Sequence, residues 1–258
     1  MPASDIPVSR ARGQAAVPPS KSAPFQFVNN RLLAALPDAD RRRLEPHLVE
    51  TRLEFKRELS EPERPIEQVY FPDTGVCSIV SVMRDGASTV VATVGNEGLI
   101  GLVLFYGESA EPSSTIVQVP GRGRALPARI FSEELERRAA LHRIVGHYAH
   151  ARMIQIMQTT ACNQLHPVRA RTCNWLLKTH DRVSGDEFNL TQELLSLMLG
   201  ARRPTVSGIA RELQDEGLIR CRHGKVTILD RKGLEAEACE CYARVRDYFN
   251  HFLQRLPA

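Results

Sequence analysis

Residues 199–208, LGARRPTVSG, concentrate the side chains best suited to chemistry. Arg202 and Arg203 stand directly before Pro204, and the hydroxyls of Thr205 and Ser207 follow at a spacing of two. Between residues 199 and 232 there are eight basic residues (Arg202, Arg203, Arg211, Arg220, Arg222, Lys225, Arg231, Lys232). Only four acidic ones (Glu212, Asp215, Glu216, Asp230) oppose them. That local excess of four equals the net charge of +4 carried by the entire chain. Clustered positive charge of this kind is what neutralising a run of phosphates requires.

The flanking pattern supplies elements to position these groups. Asn189-Leu190-Thr191-Gln192-Glu193 reads as a helix start with Asn189 or Thr191 as cap. Leu190, Leu194, Leu195, Met198 and Leu199 form its apolar stripe, and Gly200 suits a left-handed turn. Pro204 fits the first turn of the next helix, where a missing N–H costs little, and its ring biases Arg203 away from helical backbone angles. Val206, Ile209, Ala210 and Leu213 keep helical spacing until Gly217. The pair predicts a helix-turn-helix. Leu218 to Cys221, a turn at Arg222-His223-Gly224, and Lys225 to Leu229 predict a β-hairpin wing with a basic tip.

Upstream, the first 24 residues are rich in Pro, Ala, Ser and Arg without an apolar core, so residues 1–24 are expected to be a disordered tail. Residues 25–131 carry short β-rich runs (Val69 to Phe71, Val76 to Met83, Ser88 to Val94, Thr115 to Val119) separated by Gly, Pro and Asp turns, which predicts an antiparallel β-roll. Residues 132–161 predict one long helix capped by Ser132, whose apolar residues cover more than one stripe and call for a second contact. A twofold dimer seam is the commonest kind. Residues 162–258 are assigned to a winged helix-turn-helix with a C-terminal helix. The fold class is therefore α+β: β-roll sensor, long dimerisation helix and winged head.

A hydrophobic content of 43% with 25% charged residues is ordinary for a soluble globular protein, and no apolar run reaches the roughly 18 residues of a membrane span. The six cysteines (Cys77, Cys162, Cys173, Cys221, Cys239, Cys241), with no secretory signal, are expected to be free thiols in a bacterial cytoplasm. Cys239 and Cys241 form a C-x-C pair, but two residues apart on a helix they would point away from each other, so no metal is assigned. No nucleophile triad, paired-carboxylate motif or GxxxxGK[ST] loop is present, which argues against an enzyme.

With these features the chain resembles the Crp/Fnr family of bacterial transcription regulators, from about Phe25 to Leu234. The most specific stretch is LTQELLSLMLGARRPTVSGIARELQDEGLIRCRHGKVTILD, residues 190–230. The resemblance implies a homodimer on a roughly palindromic double-stranded operator, with heads that move in response to a signal, and leaves RNA polymerase open as a partner. Arg203 takes the position of the family's guanine reader, since an arginine fork can hold guanine O6 and N7 together. The glutamate that follows in well-known members is Pro204 here, and a second arginine is Gly208, so the operator should differ. Thr205 and Ser207 are candidates for phosphates or bases, Thr191 and Gln192 for the DNA backbone, and Arg202, Arg222 and Lys225 for phosphates.

Cyclic-nucleotide members hold phosphate with Gly-Glu and, about ten residues on, Arg-Ser/Thr. Here Gly101 is followed by Leu102, and Pro112, Ser113 and Ser114 stand where the arginine belongs. A cyclic phosphate would lack its charge-assisted partner, so a cyclic nucleotide is rejected as effector. No cysteine precedes Cys77, which argues against the family's iron–sulfur cluster. Haem stays open through His142, His147 and His150, of which the last two share a helix face. Cys77 or Cys162 could act as a sensing thiol. The alternative to a DNA regulator is a ligand- or redox-sensing module acting through protein partners.

Overall fold

The computed structural model describes residues 29–254; the expected tail at 1–24 and the first residues assigned to the roll lie outside the described residues. Helices α1 (Arg31–Ala34) and α2 (Asp38–Leu44) and a 3-10 turn (Glu45–His47) come first. Asn30 caps α1 by accepting from the Leu32 and Leu33 amides, while its own amide donates to the Pro72 and Gly98 carbonyls. One buried side chain thus starts a helix and pins it to two turns of the roll.

The roll is built from β1 (Val49–Leu53), β2 (Glu58–Ser60), β3 (Gln68–Pro72), β4 (Val76–Val82), β5 (Ser88–Val94), β6 (Ser113–Val119) and β7 (Gly121–Pro127). Its pairings are antiparallel, in the orders β1-β7-β3 and β2-β6-β4-β5. Leu53, Tyr70, Cys77, Val94, Ile100 and Val117 fill one part of its core. The sequence signals for β3 to β6 lie on real strands. Strands β1 and β7, VETRL and GRGRALP, carry too few β-branched residues to announce themselves and are held by pairing with each other and with β3.

The single long helix capped by Ser132 is corrected. Ser132 lies inside α3 (Ala128–Glu136), and a second helix, α4 (Ala140–Leu165), starts after a break in which Arg138 takes a left-handed φ of 51°. The break is tertiary in origin. Asp40 of α2 accepts the Ala140 amide at 3.2 Å, supplying the cap that Ala139 cannot, and Arg43 holds the buried Glu134 of α3 at 2.6 Å. At its other end α4 runs past the expected end at residue 161 to Leu165, and His166, extended before Pro167, ends it.

The head consists of α5 (Val168–His180), β8 (Glu187–Asn189), α6 (Gln192–Leu199), α7 (Arg203–Asp215), β9 (Ile219–Arg222), β10 (Lys225–Ile228) and α8 (Arg231–Glu237), with sheet order β8-β10-β9. The C-terminal helix α9 (Cys241–Gln254) departs from the expected grouping with the head. Val245, Phe249 and Phe252 join Leu141, Ile144, Val145 and Tyr148 of α4 in one core, and Tyr248 Oη meets His150 Nδ1 at 2.8 Å. Part of the surplus apolar surface of α4 is therefore covered within the chain. Met153, Ile156 and Met157 remain 50%, 40% and 60% exposed. No helix among the described residues is long and apolar enough to cross a membrane.

The head docks on the roll. Val76, Val80, Val90 and Val119 share a core with Trp175, Leu195, Met198 and Leu199. Arg182, just beyond α5, reaches Glu97 with Nη2 to Oε1 at 2.7 Å and Nε to Oε2 at 3.1 Å, and donates to Thr93 Oγ1 at 2.8 Å. Both charged side chains are only 9% exposed. Gly95 makes room, since a Cβ there would sit 2.5 Å from Arg182 Cδ.

Burial pushes the Glu97 carboxyl up, but the Arg182 guanidinium and backbone amides outweigh it and hold the group below the ordinary carboxylate range. The stabilisation is thus complete above the ordinary carboxylate pKa of about 4 and is lost as pH falls through the depressed folded value. Glu97→Gln leaves Arg182 buried and unpaired and should cost about 3 kcal/mol in urea unfolding at neutral pH. In acid, where the wild-type carboxyl protonates, the gap between the two proteins should shrink.

Candidate nucleic-acid interface

Helix α6 is capped by Thr191, whose hydroxyl accepts the Leu194 amide at 3.2 Å, and it ends at Gly200 with φ 58°. That left-handed residue turns the chain, and Ala201 and Arg202 lead into α7. The structure opens α7 at Arg203, with Arg202 as the extended N-cap residue (φ −67°, ψ 143°). The expected bias of Pro204 on Arg203 is therefore overridden. Val206, Ile209 and Leu213 are buried against α6 and the wing, and this packing fixes α7 one residue earlier than the proline signal.

Nothing from a side chain caps α7, so its first amides face outward beside Arg202, Arg203 and Thr205, all exposed. Unpartnered N–H groups and the positive dipole end form a natural seat for a phosphate. In the free chain Arg203 pairs with Glu193 of α6 at 2.9 Å. Ser207 donates to Gln192 Oε1 at 2.6 Å, linking the two helices. The wing tip turns through His223 and Gly224, both at positive φ, between exposed Arg222 and Lys225. Lys225 pairs with Glu187 of β8 at 2.6 Å. The structure thus brings Thr191, Gln192, Arg202, Arg203, Thr205 and Ser207 to one end of the helix-turn-helix and places Arg222 and Lys225 on the wing. Arg231, counted in the basic excess, is instead spent on Asp181, Glu235 and Tyr242.

At the expected effector site Gly101 has φ 94° and opens a 3-10 turn (Leu102–Tyr106), with Leu102 and Leu104 packed toward the α1–α4 core. Ser114 is buried in β6, and Glu97, which would repel a phosphate, is engaged by Arg182. Cys77 is buried in the roll core, and burial pushes its thiol up to about 12, which disfavours the reactive thiolate. His150 is taken by Tyr248, His147 lies against the Phe252 ring, and His142 against Phe105.

A second convergence was missed. Cys239 lies in the link before α9 and Cys241 opens that helix, so the pair does not share a helix and does not point apart as expected. Both sulfurs meet Cys162 and His166 at the foot of α4. The available signal was the four-residue spacing of Cys162 and His166 on a helix beside a C-x-C pair.

Residues 170–237 match a family model described as a Crp-like helix-turn-helix domain. No curated protein matches the chain. Among solved structures, FixK2 from Bradyrhizobium japonicum is 15% identical over 74% of this chain and 98% of that one, with a TM-score of 0.64. TTHB099, a CRP-family transcriptional regulator from Thermus thermophilus, is 23% identical over 73% and 96%, with a TM-score of 0.60. CLP, a c-di-GMP responsive global regulator from Xanthomonas campestris, is 16% identical over 75% and 100%, with a TM-score of 0.60.

Gly208 sits mid-helix on α7, where an added Cβ would meet nothing within 4 Å. Gly208→Ala should therefore raise stability in urea by up to about 1 kcal/mol. No gain would mean that an unseen constraint at this position requires glycine.

Proposed function

We propose that the chain is a Crp/Fnr-type transcription regulator that binds a two-part DNA operator as a homodimer, using Arg203 to read guanine; the Crp-like helix-turn-helix domain over residues 170–237 and the fold shared with solved regulators of that family support the reading. The observation that carries this is the uncapped start of α7, which presents Arg202, Arg203 and Thr205 to solvent on a helix whose other face is buried.

Magnitudes favour the exchange. The Arg203–Glu193 pair is exposed on both sides (63% and 48%) and so contributes only about 0–1 kcal/mol. A bidentate guanine contact discriminates by about 1–3 kcal/mol. Glu193 therefore holds Arg203 in place without competing strongly for it. Thr191 has its hydroxyl committed to capping, so its contribution to a DNA phosphate comes through the start of α6. Gln192 accepts from Ser207 and keeps its amide N–H groups for the DNA backbone. Arg202, Arg222 and Lys225 position the duplex through phosphates.

A second copy fits the exposed Met153, Ile156 and Met157 on α4, which α9 leaves uncovered. Reading two half-sites requires a twofold pair of α7 helices about one DNA turn apart. In this reading the effector position is degenerate: Leu102, partly buried against the core, stands where the resemblance calls for a phosphate-binding glutamate, so a cyclic phosphate would lack its partners there.

Arg203→Ala should weaken binding to the preferred duplex by about 1–3 kcal/mol and relax the choice at one base pair, whereas Lys225→Ala should weaken all duplexes alike and lower the salt slope by about 1. Titrations at several salt concentrations separate the two. Unchanged regulation in Arg203→Ala would instead favour a signalling module working through protein partners. Met153→Glu combined with Met157→Glu should yield monomers in sedimentation and abolish two-site occupancy; a persistent dimer would place the seam elsewhere.

A further inference from the structure

The foot of α4 gathers four metal-type ligands from separate parts of the chain. Cys162 and His166 lie one helical turn apart where α4 ends, Cys239 sits in the α8–α9 link, and Cys241 opens α9. Cys162 Sγ lies 3.5 Å from Cys239 Sγ, and Cys241 Sγ lies 3.5 Å from His166 Nδ1. All four ligand atoms fall within 4.8 Å of one another. A tetrahedral zinc site, with bonds of about 2.3 Å to sulfur and 2.0–2.1 Å to nitrogen, separates its ligand atoms by roughly 3.3–3.8 Å. The cluster is therefore at or within about an ångström of that geometry, and the three cysteines are buried.

The surroundings match the same chemistry. His166 Nε2 lies 3.1 Å from Glu240 Oε2, which leaves Nδ1 to face the sulfurs and orients the ring as a carboxylate does behind a metal-bound histidine. Gln158 Nε2 donates to Cys241 Sγ at 3.0 Å, and Asn174 Nδ2 to Cys239 Sγ at 3.5 Å. Such N–H donors stabilise thiolates rather than thiols. A disulfide is less well prepared, because bonding two sulfurs at about 2.05 Å would leave Cys241 and His166 without a role.

We propose that Cys162, His166, Cys239 and Cys241 form a Cys3His site for a thiophilic divalent cation of the zinc type. Loading releases the thiol protons to solvent and forms metal–sulfur bonds with no change of oxidation state. The ion joins the end of α4 to the start of α9 beside the His166–Pro167 joint, from which the head departs. It thereby fastens the head's last link to the long helix.

The test is metal analysis of the full-length chain, expressed with added zinc and purified without chelators, followed by replacement with Co2+. About one zinc per chain is expected, with the thiolate charge-transfer and strong visible bands of tetrahedral cobalt. Cys239→Ser and Cys241→Ser should lose the ion, and Cys221→Ser, an exposed thiol on the wing, should keep it. Glu240→Gln, a surface change that spares the ligands, should fold and bind zinc 10–100-fold more weakly. Wild-type protein that takes up neither metal, or that keeps its metal in Cys239→Ser, would overturn the proposal. So would a Cys162–Cys239 disulfide found by mass spectrometry in the protein as isolated.

Discussion

The buried pair between Glu97 and Arg182 ties the winged head to the roll. Two charges at 9% exposure tolerate each other's company and little else, because removing either leaves the other desolvated without a partner. The pair joins a turn of the roll to the segment after α5, and the apolar contact of β4 and β5 with α5 and α6 closes around it. With α6 pressed to the roll, α7 faces outward and its uncapped start is left for a polyanion.

Helix α4 is the second organising element, and its surfaces divide the work. One face meets the roll and α1 through Leu141, Ile144 and Tyr148, and α9 covers the adjoining stripe. Met153, Ile156 and Met157 stay exposed, and the foot carries Cys162 and His166. Helix α4 thus runs from the roll core to the His166–Pro167 joint where the head begins.

What the sequence could disclose was local. Gly200 at left-handed φ, the Val206, Ile209 and Leu213 stripe, and the two-residue wing turn each depend on neighbours a few positions away. What it hid was assembled from far along the chain. The break before α4 needs Asp40, 100 positions from the amide it caps, and no pattern around Ser132 contains that information. The cysteine cluster closes only because α9 folds back, bringing Cys239 to Cys162 across 77 positions. In the interface, the residue types were visible, but the pairing of Arg203 with Glu193 and of Ser207 with Gln192 was not. Those contacts depend on the angle between α6 and α7, which side-chain packing sets.

Base reading by α7 requires that the full-length chain select a duplex of its own. Unbiased selection from random double-stranded DNA at moderate salt should enrich two inverted half-sites with centres about 10 base pairs apart, as a twofold pair of α7 helices requires. Each half-site should hold a constant guanine. A pool that stays random after repeated selection would contradict the assignment of α7 as a base-reading helix.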